Sequence, residues 1–254
     1  MKVRFLGTGT SQGVPVIACD CAACMSENPK DKRLRTSAII EIEDLSILID
    51  IGPDFRQQML TNRIKKLDAV ILTHEHNDHV IGADDLRPFN FRQRKDMPIY
   101  GEERVLNEIK KRFDYAFKPH PYPGLPQFLL KNVSENINIR IGQIEIVPIR
   151  VMHAQLPIFG YRFQDFCYLT DVKTIPESEF SKMKGVKVLV LNALRKRPHH
   201  SHLTIEEAIT ISRRINPEIT YLTHFSHDLG PVDEWAQDLP ANILPAYDGL
   251  NISI

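Results

Sequence analysis

The chain has 254 residues, 43% of them hydrophobic and 25% charged, which is enough apolar material for a large core. Its 32 basic residues balance 32 acidic ones, which argues against a protein built to grip a long nucleic acid. No stretch approaches the ~20 apolar residues that span a bilayer. Residues 1–6 lack the long apolar run of a secretory signal, so the expectation is a cytoplasmic protein with no membrane partner.

Residues 2–7 read as a first strand, followed by the turn Gly7-Thr8-Gly9-Thr10-Ser11-Gln12-Gly13. The turn lacks the Lys-Ser/Thr pair of a phosphate loop, and no amphipathic helix follows. A tight loop that brings backbone close to a site fits better. Cys19, Cys21 and Cys24 then crowd together. Disulfides between such near neighbours would be strained. In a reducing compartment the cluster reads as a zinc site with one ligand missing locally.

Residues 37–43 and 45–51 read as an antiparallel pair with a turn at Glu43-Asp44. A helix over 54–64 follows Pro53. Residues 67–73 form a buried strand that delivers Thr73-His74-Glu75-His76-Asn77-Asp78-His79. Neutral imidazole and carboxylate suit zinc, manganese or iron. Two close metals could use His74, His76, Asp78 and His79 together, which one could not easily do. A helix over 83–93 carries Asp84 and Asp85 in its first turn, where the helix dipole explains them. A strand at 98–101 and a helix at 102–113 lead into a proline-rich stretch, 114–134, which contains Pro121-Tyr122-Pro123-Gly124. It is expected to be an irregular flap or a partner surface.

Two hairpins are expected, 137–141 with 143–151 and 158–163 with 165–170. Cys167 reads as a buried structural cysteine. A short helix at 176–184, a strand at 186–191 and a helix at 204–215 follow, the last opened by the capping box Thr204-x-x-Glu207. Residues 218–223, 243–246 and 250–254 complete the strands, with a short helix at 231–238. Several apolar runs end alike, at His74, Asp171 and His224, and residues 47–50 end in Asp50. Strands that end in ligand-type residues at one sheet edge would gather them into one site.

The pattern His-x-His-x-Asp-His at 74–79 resembles the signature of the metallo-β-lactamase superfamily. With Cys-x-Cys-x-x-Cys near the start, His224-x-x-His227 near the end, Phe5-Leu6-Gly7-Thr8-Gly9 and Tyr247-Asp248-Gly249, the chain resembles the PhnP-like phosphodiesterases. These are related to the tRNA 3′-processing ribonucleases of the ribonuclease Z group. The resemblance implies a single domain over 1–254: an α/β, four-layer αββα sandwich of two mixed sheets flanked by helices. It implies one catalytic divalent metal, zinc or manganese, on His74, His76, His153 and Asp171. A second would lie on Asp78, His79, Asp171 and His224, with Asp171 bridging. It places a structural zinc on Cys19, Cys21, Cys24 and His227. Asp50 would accept a ligand histidine's far N–H. Asp78 and His202 are the expected catalytic residues, with His199 and His200 competing for the role of His202.

The activity so implied is two-metal hydrolysis of small or cyclic phosphodiesters, of the cyclic nucleotide or cyclic ribosyl phosphate type. The partner is then a small phosphodiester rather than nucleic acid beyond nucleotides, and a homodimer is left open. The alternatives are a tRNA 3′-processing endoribonuclease, which would need an RNA-clamping arm, and a non-catalytic metal scaffold.

Overall fold

The computed structural model describes residues 1–119 and 122–254. The first half of the chain forms β1 (Lys2–Gly7), β2 (Ser37–Ile42), β3 (Leu45–Ile49), β4 (Ala69–Ile71), β5 (Met97–Gly101) and β6 (Phe128–Asn132). The second half forms β7 (Ile139–Ile141), β8 (Ile144–His153), β9 (Leu156–Phe163), β10 (Phe166–Leu169), β11 (Val188–Asn192), β12 (Ile219–Thr223), β13 (Ile243–Pro245) and β14 (Asn251–Ser253). β14 returns to pair with β1. Two seven-stranded sheets result, ordered β14-β1-β2-β3-β4-β5-β6 and β13-β12-β11-β10-β9-β8-β7. Both are mixed: β3 to β6 run parallel, as do β10 to β13, beside antiparallel neighbours.

The period-2 alternation of strands sorts the apolar residues into three layers. Val3, Phe5, Ile40, Ile47 and Ile49 face Phe159, Tyr161, Phe163, Tyr168 and Val190 between the sheets. Leu6, Ile39, Leu48, Val70 and Leu72 point outward beneath the helices Phe55–Thr61, Arg87–Gln93 and Glu103–Arg112. Leu189, Leu191 and Leu222 do the same beneath the helix Ile205–Ile215. Strands buried on both faces read as near-continuous apolar runs. The four layers are thus helix, sheet, sheet, helix. Cys167 is fully buried on β10.

Thr204 caps its helix as the capping-box pattern requires, accepting from Glu207 N while Glu207 accepts from Thr204 N. Two expectations are corrected. The helix over 83–93 is interrupted: 81–86 is a 3₁₀ turn, so Asp84 and Asp85 precede the α-helix rather than open it. Pro88 in the first turn of that helix lacks the N–H that would continue the α-helical ladder backward. The stretch 114–134 is not irregular throughout, because residues 128–132 form the edge strand β6. Its side chains are mostly exposed and prolines precede it, so its apolar pattern is weak. Gln127 bonds to Asn90 and Met97, which ties the stretch to the outer helix and β5. His120 and Pro121, part of the expected flap, lie outside the described residues.

Two glycines allow backbone to pass backbone behind the histidine loop. A Cβ on Gly52 would lie 2.1 Å from the carbonyl oxygen of Asp78, and one on Gly82 would lie 2.1 Å from that of Gly52. Gly52→Ala should therefore shift the loop, costing on the order of 1–3 kcal/mol of stability and weakening divalent-metal retention. Chemical denaturation and metal analysis of the purified variant check this.

Candidate metal centre

Because β3 and β4 are parallel, as are β10, β11 and β12, their C-terminal ends fall on common edges. Asp50 follows β3, His74 lies just past β4, Asp171 just past β10 and His224 follows β12, while His153 ends β8. Asp50, Asp171 and His224 all have positive φ, at 59°, 59° and 61°. Few non-glycine residues adopt this left-handed conformation, which is held only where the surroundings enforce it. Here the turn swings each side chain from the strand end into the gap between the sheets.

The ligand-type atoms converge. His74 Nε2 lies 2.9 Å from His76 Nδ1, and both belong with His153 to a set whose ligand atoms lie within 4.8 Å of one another. His74, His79 and Asp171 form a second such set, and His153, Asp171 and His202 a third. His79 Nε2 is 3.3 Å from both Asp78 Oδ2 and Asp171 Oδ2. His224 Nε2 is 3.2 Å from Asp171 Oδ1. Asp171 is thus common to both halves of the cluster.

The hydrogen bonds behind the rings select their tautomers. Thr73 Oγ1 donates to Asp50, so at 3.0 Å it accepts from His74 Nδ1. His79 Nδ1 donates to Asp50 Oδ2 at 2.6 Å, and His153 Nδ1 to Ser201 O at 2.9 Å. Thr36 Oγ1 donates to Gly9 O and accepts from His224 Nδ1 at 3.2 Å. In all four rings Nδ1 is held from behind, which turns Nε2 to the shared centre. Oriented imidazoles of this kind are what a bound metal requires.

The charges ask for a cation. Asp50, Asp78 and Asp171 come together with no lysine or arginine ion-paired to them among the described residues. Burial acts to raise the Asp171 carboxyl, but His224, His79, His202 and His74 hold it well below the usual range. Burial acts to lower His79, yet Asp78, Asp50 and Asp171 lift it well above its ordinary value. Burial and the neighbouring ring of His79 push His74 far down, leaving it neutral with a free lone pair. The Nε2 of His79 and Nδ1 of His202 are buried without a hydrogen-bond partner. A divalent cation on each side of Asp171 would satisfy the carboxylates and His79 Nε2, leaving His202 Nδ1 unengaged.

Of the three histidines before the helix, His202 faces the cluster. Its ring lies 4.6 Å from that of His153 and 4.9 Å from that of His224, and its Nδ1 is 3.6 Å from Asp171 Oδ1. His200 is exposed, and His199 Nδ1 bonds to Ser201 instead.

A second cluster joins the chain's two ends. His227 Nδ1 lies 3.2, 3.4 and 3.6 Å from the sulfurs of Cys19, Cys21 and Cys24. A tetrahedral zinc with normal bond lengths sets sulfur and nitrogen ligands about 3.5 Å apart, so the spacing fits. Burial opposes ionisation of Cys21, but the Cys24 backbone amide and the neighbouring thiols and His227 bring it down to about 7. Burial pushes Cys24 up to about 11.

Sequence reasoning passed over several residues that shape the centre. Asn192, at the end of β11, bonds both backbone groups of Val172 and so fixes the turn after Asp171. Thr10 places its hydroxyl 3.1 Å from His224 Nε2; the Gly-Thr-Gly-Thr turn was its signal. Glu75, between the two loop histidines, is held twice by the helix Glu103–Arg112. Arg104 pairs with its carboxylate, and Arg112 donates to its carbonyl at 2.6 Å.

Comparison with known proteins agrees with this geometry. Residues 46–225 match the β-lactamase superfamily domain. An octanoyltransferase of Porphyromonas gingivalis is 44% identical over 258 residues, covering 100% of this chain and 52% of that protein. A ribonuclease Z of Bacillus licheniformis is 25% identical over 218 residues, 83% of this chain and 62% of that protein. The chain spans between about half and just under two thirds of these relatives' lengths. Among solved structures, a diphosphatase from the PhnP family superposes with a TM-score of 0.93 and 38% identity, over 100% of this chain and 97% of that one.

Arg104→Met should loosen Glu75 and weaken metal retention at His74, His76 and His153 roughly tenfold, the lower end for lost outer contacts to ligands; competition with a chelator measures this. Cys21→Ser should remove one metal per chain and lower Tm by roughly 5 °C or more, because binding at such a site is also folding free energy. Metal analysis and calorimetry check both effects.

Proposed function

The chain belongs to the β-lactamase superfamily, and from that premise we propose that it is a metal-dependent phosphodiesterase acting on small or cyclic phosphodiesters. The observation that carries the proposal is the paired donor set around Asp171 with the partnerless Nδ1 of His202 beside it. His74, His76, His153 and Asp171 would hold one divalent cation, zinc or manganese, and Asp78, His79, Asp171 and His224 the other. Such a pair supplies an activated water and neutralises charge on the phosphoryl oxygens.

The chain's own residues do the rest. Asp50 and Thr73 fix the rings of His79 and His74 through their Nδ1 atoms. Asp78 and Asp171 set the negative charge of the floor. Burial and the surrounding imidazoles lower His202 to about 2 although Asp171 pulls the other way. His202 therefore stands neutral, with its Nδ1 unpartnered beside Asp171 and open to an incoming phosphate. An arriving phosphoryl anion raises the proton affinity of such a ring, which then supports the leaving oxygen.

Phosphoanhydride cleavage is a second reading, favoured by the likeness to the PhnP-family diphosphatase. It needs the same floor and a phosphate as leaving group. Processing of tRNA gains less support, because much of the stretch that would have to supply a clamping arm, residues 127–132, is bound to Asn90 and paired with β5. Acyl transfer through a thiol finds no nucleophile at this centre: Cys19, Cys21 and Cys24 gather on His227, and Cys167 is fully buried. The octanoyltransferase relative is about twice the length of the part this chain matches.

A turnover screen of 2′,3′-cyclic nucleotides, a cyclic ribosyl phosphate, an aryl phosphodiester, a dinucleoside diphosphate, a phosphomonoester and precursor tRNA tests the reading. Diester turnover should dominate; robust monoester turnover with no diester turnover at matched metal loading would refute it. His202→Ala should lower kcat about 100-fold on alkyl leaving groups, within the usual reach of acid–base catalysis. Aryl leaving groups should show a smaller loss, and metal content should be unchanged.

A further inference from the structure

Between β11 and the helix Ile205–Ile215 the chain makes an excursion that carries His202 on its inner side. Its base is closed by backbone bonds, Leu194 N to Leu203 O at 2.9 Å and Ile205 N to Arg195 O at 3.3 Å. Its inner limb is anchored at the metal centre, through His153 Nδ1 to Ser201 O and Leu203 N to Val172 O. The outer limb, residues 196–200, makes no backbone–backbone hydrogen bond among the described residues. It is held by the guanidinium of Arg195, which donates from Nε to Arg197 O at 3.3 Å and from Nη2 to Pro198 O at 3.2 Å.

The remaining face of that guanidinium points away from the excursion. Nη1 of Arg195 bonds Asp228 Oδ2 at 3.0 Å, and Asp228 directly follows His227, whose Nδ1 meets the three thiols. The backbone runs alongside, with Ser226 N bonded to Leu194 O at 2.9 Å. One planar cation thus joins the Cys–His cluster to the limb that leads into His202. A fork of this kind constrains direction as well as distance.

We infer that Arg195 and Asp228 are positioning residues that transmit the geometry of the Cys–His cluster to His202. The inference rests on the functional reading above for its catalytic consequence, but not for its structural one. The pair is partly exposed, with side-chain exposures of 28% and 31%. Such pairs add little to global stability, so its effect is local: it limits where the outer limb can move. Loss of the bound metal from the cysteines would free His227 and Asp228, and through them the limb. The route by-passes His224, which lies on the other side of His227 in the chain.

The test uses the metal-loaded protein and the variants Arg195→Met, Asp228→Asn, their combination, Cys21→Ser and His202→Ala, with Lys196→Ala as a neighbouring control. Backbone amide exchange across residues 201–205, where the amides of Ser201, Leu203, Thr204 and Ile205 are hydrogen-bonded, metal content, and kcat and KM on alkyl and aryl diesters are read for each. Arg195→Met and Asp228→Asn should each speed exchange of residues 201–205 with metal content unchanged. Each should lower kcat on alkyl leaving groups roughly tenfold, as a small misplacement of a reacting group does, with a smaller loss on aryl ones and KM little altered. The double variant should be no worse than either single variant, since both break one link. Cys21→Ser should speed exchange in the same segment, and adding Arg195→Met to it should change nothing there. Lys196→Ala should match the parent.

Unchanged exchange in Arg195→Met overturns the inference whatever the activity does. So does faster exchange without a leaving-group-dependent loss, if His202→Ala shows that loss. If His202→Ala shows no leaving-group dependence, the functional reading fails. Exchange in Cys21→Ser, with and without Arg195→Met, then decides the link by itself: additive effects overturn it and non-additive ones sustain it.

Discussion

A carboxylate buried between two sheets cannot stand alone, and the site's architecture follows from that constraint. Asp171 is 2% exposed, and removing such a charge from water costs several kcal/mol unless it is compensated. The compensation comes from both halves of the chain: His74 and His79 from the first sheet, His202 and His224 from the second. The rings of His74 and His79 reach Asp171 only because the two sheets pack face to face. The interaction that defines the centre is therefore also one that depends on the register of the whole sandwich.

The strain at the strand ends belongs to the same economy. Asp50, Asp171 and His224 sit in left-handed backbone, a conformation that costs roughly 1 kcal/mol or more at a non-glycine residue. Each is held there by fixed bonds: Asp50 by Thr73 and His79, Val172 after Asp171 by Asn192, His224 by Thr36 and Thr10. The apolar layers on either side of each sheet keep the strand ends from relaxing. Rigid strands supply position, and short turns after them supply direction, so the donor atoms are pre-arranged before any cation arrives.

The Cys–His cluster solves a different problem. The loop between β1 and β2 has little secondary structure and leaves Ile17 almost fully exposed. It has no core of its own beyond Val14, Ala23 and Cys24. Four ligand atoms drawn from residues 19–24 and from His227 tie it to the turn after β12. That turn also carries His224, and through Asp228 it reaches the segment before His202. A loop with so small a core of its own gathers its three thiols against His227, a donor set that a metal would lock in place.

Much of this was legible in the chain by itself. The runs that end at His74, Asp171 and His224 are apolar because their strands are buried on both faces, and that property is local. The spacing of the cysteines, the capping box at Thr204 and the alternation along β8 and β9 are local too. Side-chain chemistry and short-range periodicity determine them, so the ligand types and the strands near the site could be read directly, while the two-sheet class followed from the family resemblance. What tertiary structure alone decided was convergence and direction. That His202, not His199 or His200, faces Asp171 depends on how the excursion folds back on His153. Glu75 is clasped by Arg104 and Arg112, which lie 29 and 37 residues further along. β6 is a strand because β5 offers it an edge. No residue carries these facts in its own chemistry, because each is a contact between segments whose separation in sequence says nothing about their separation in space.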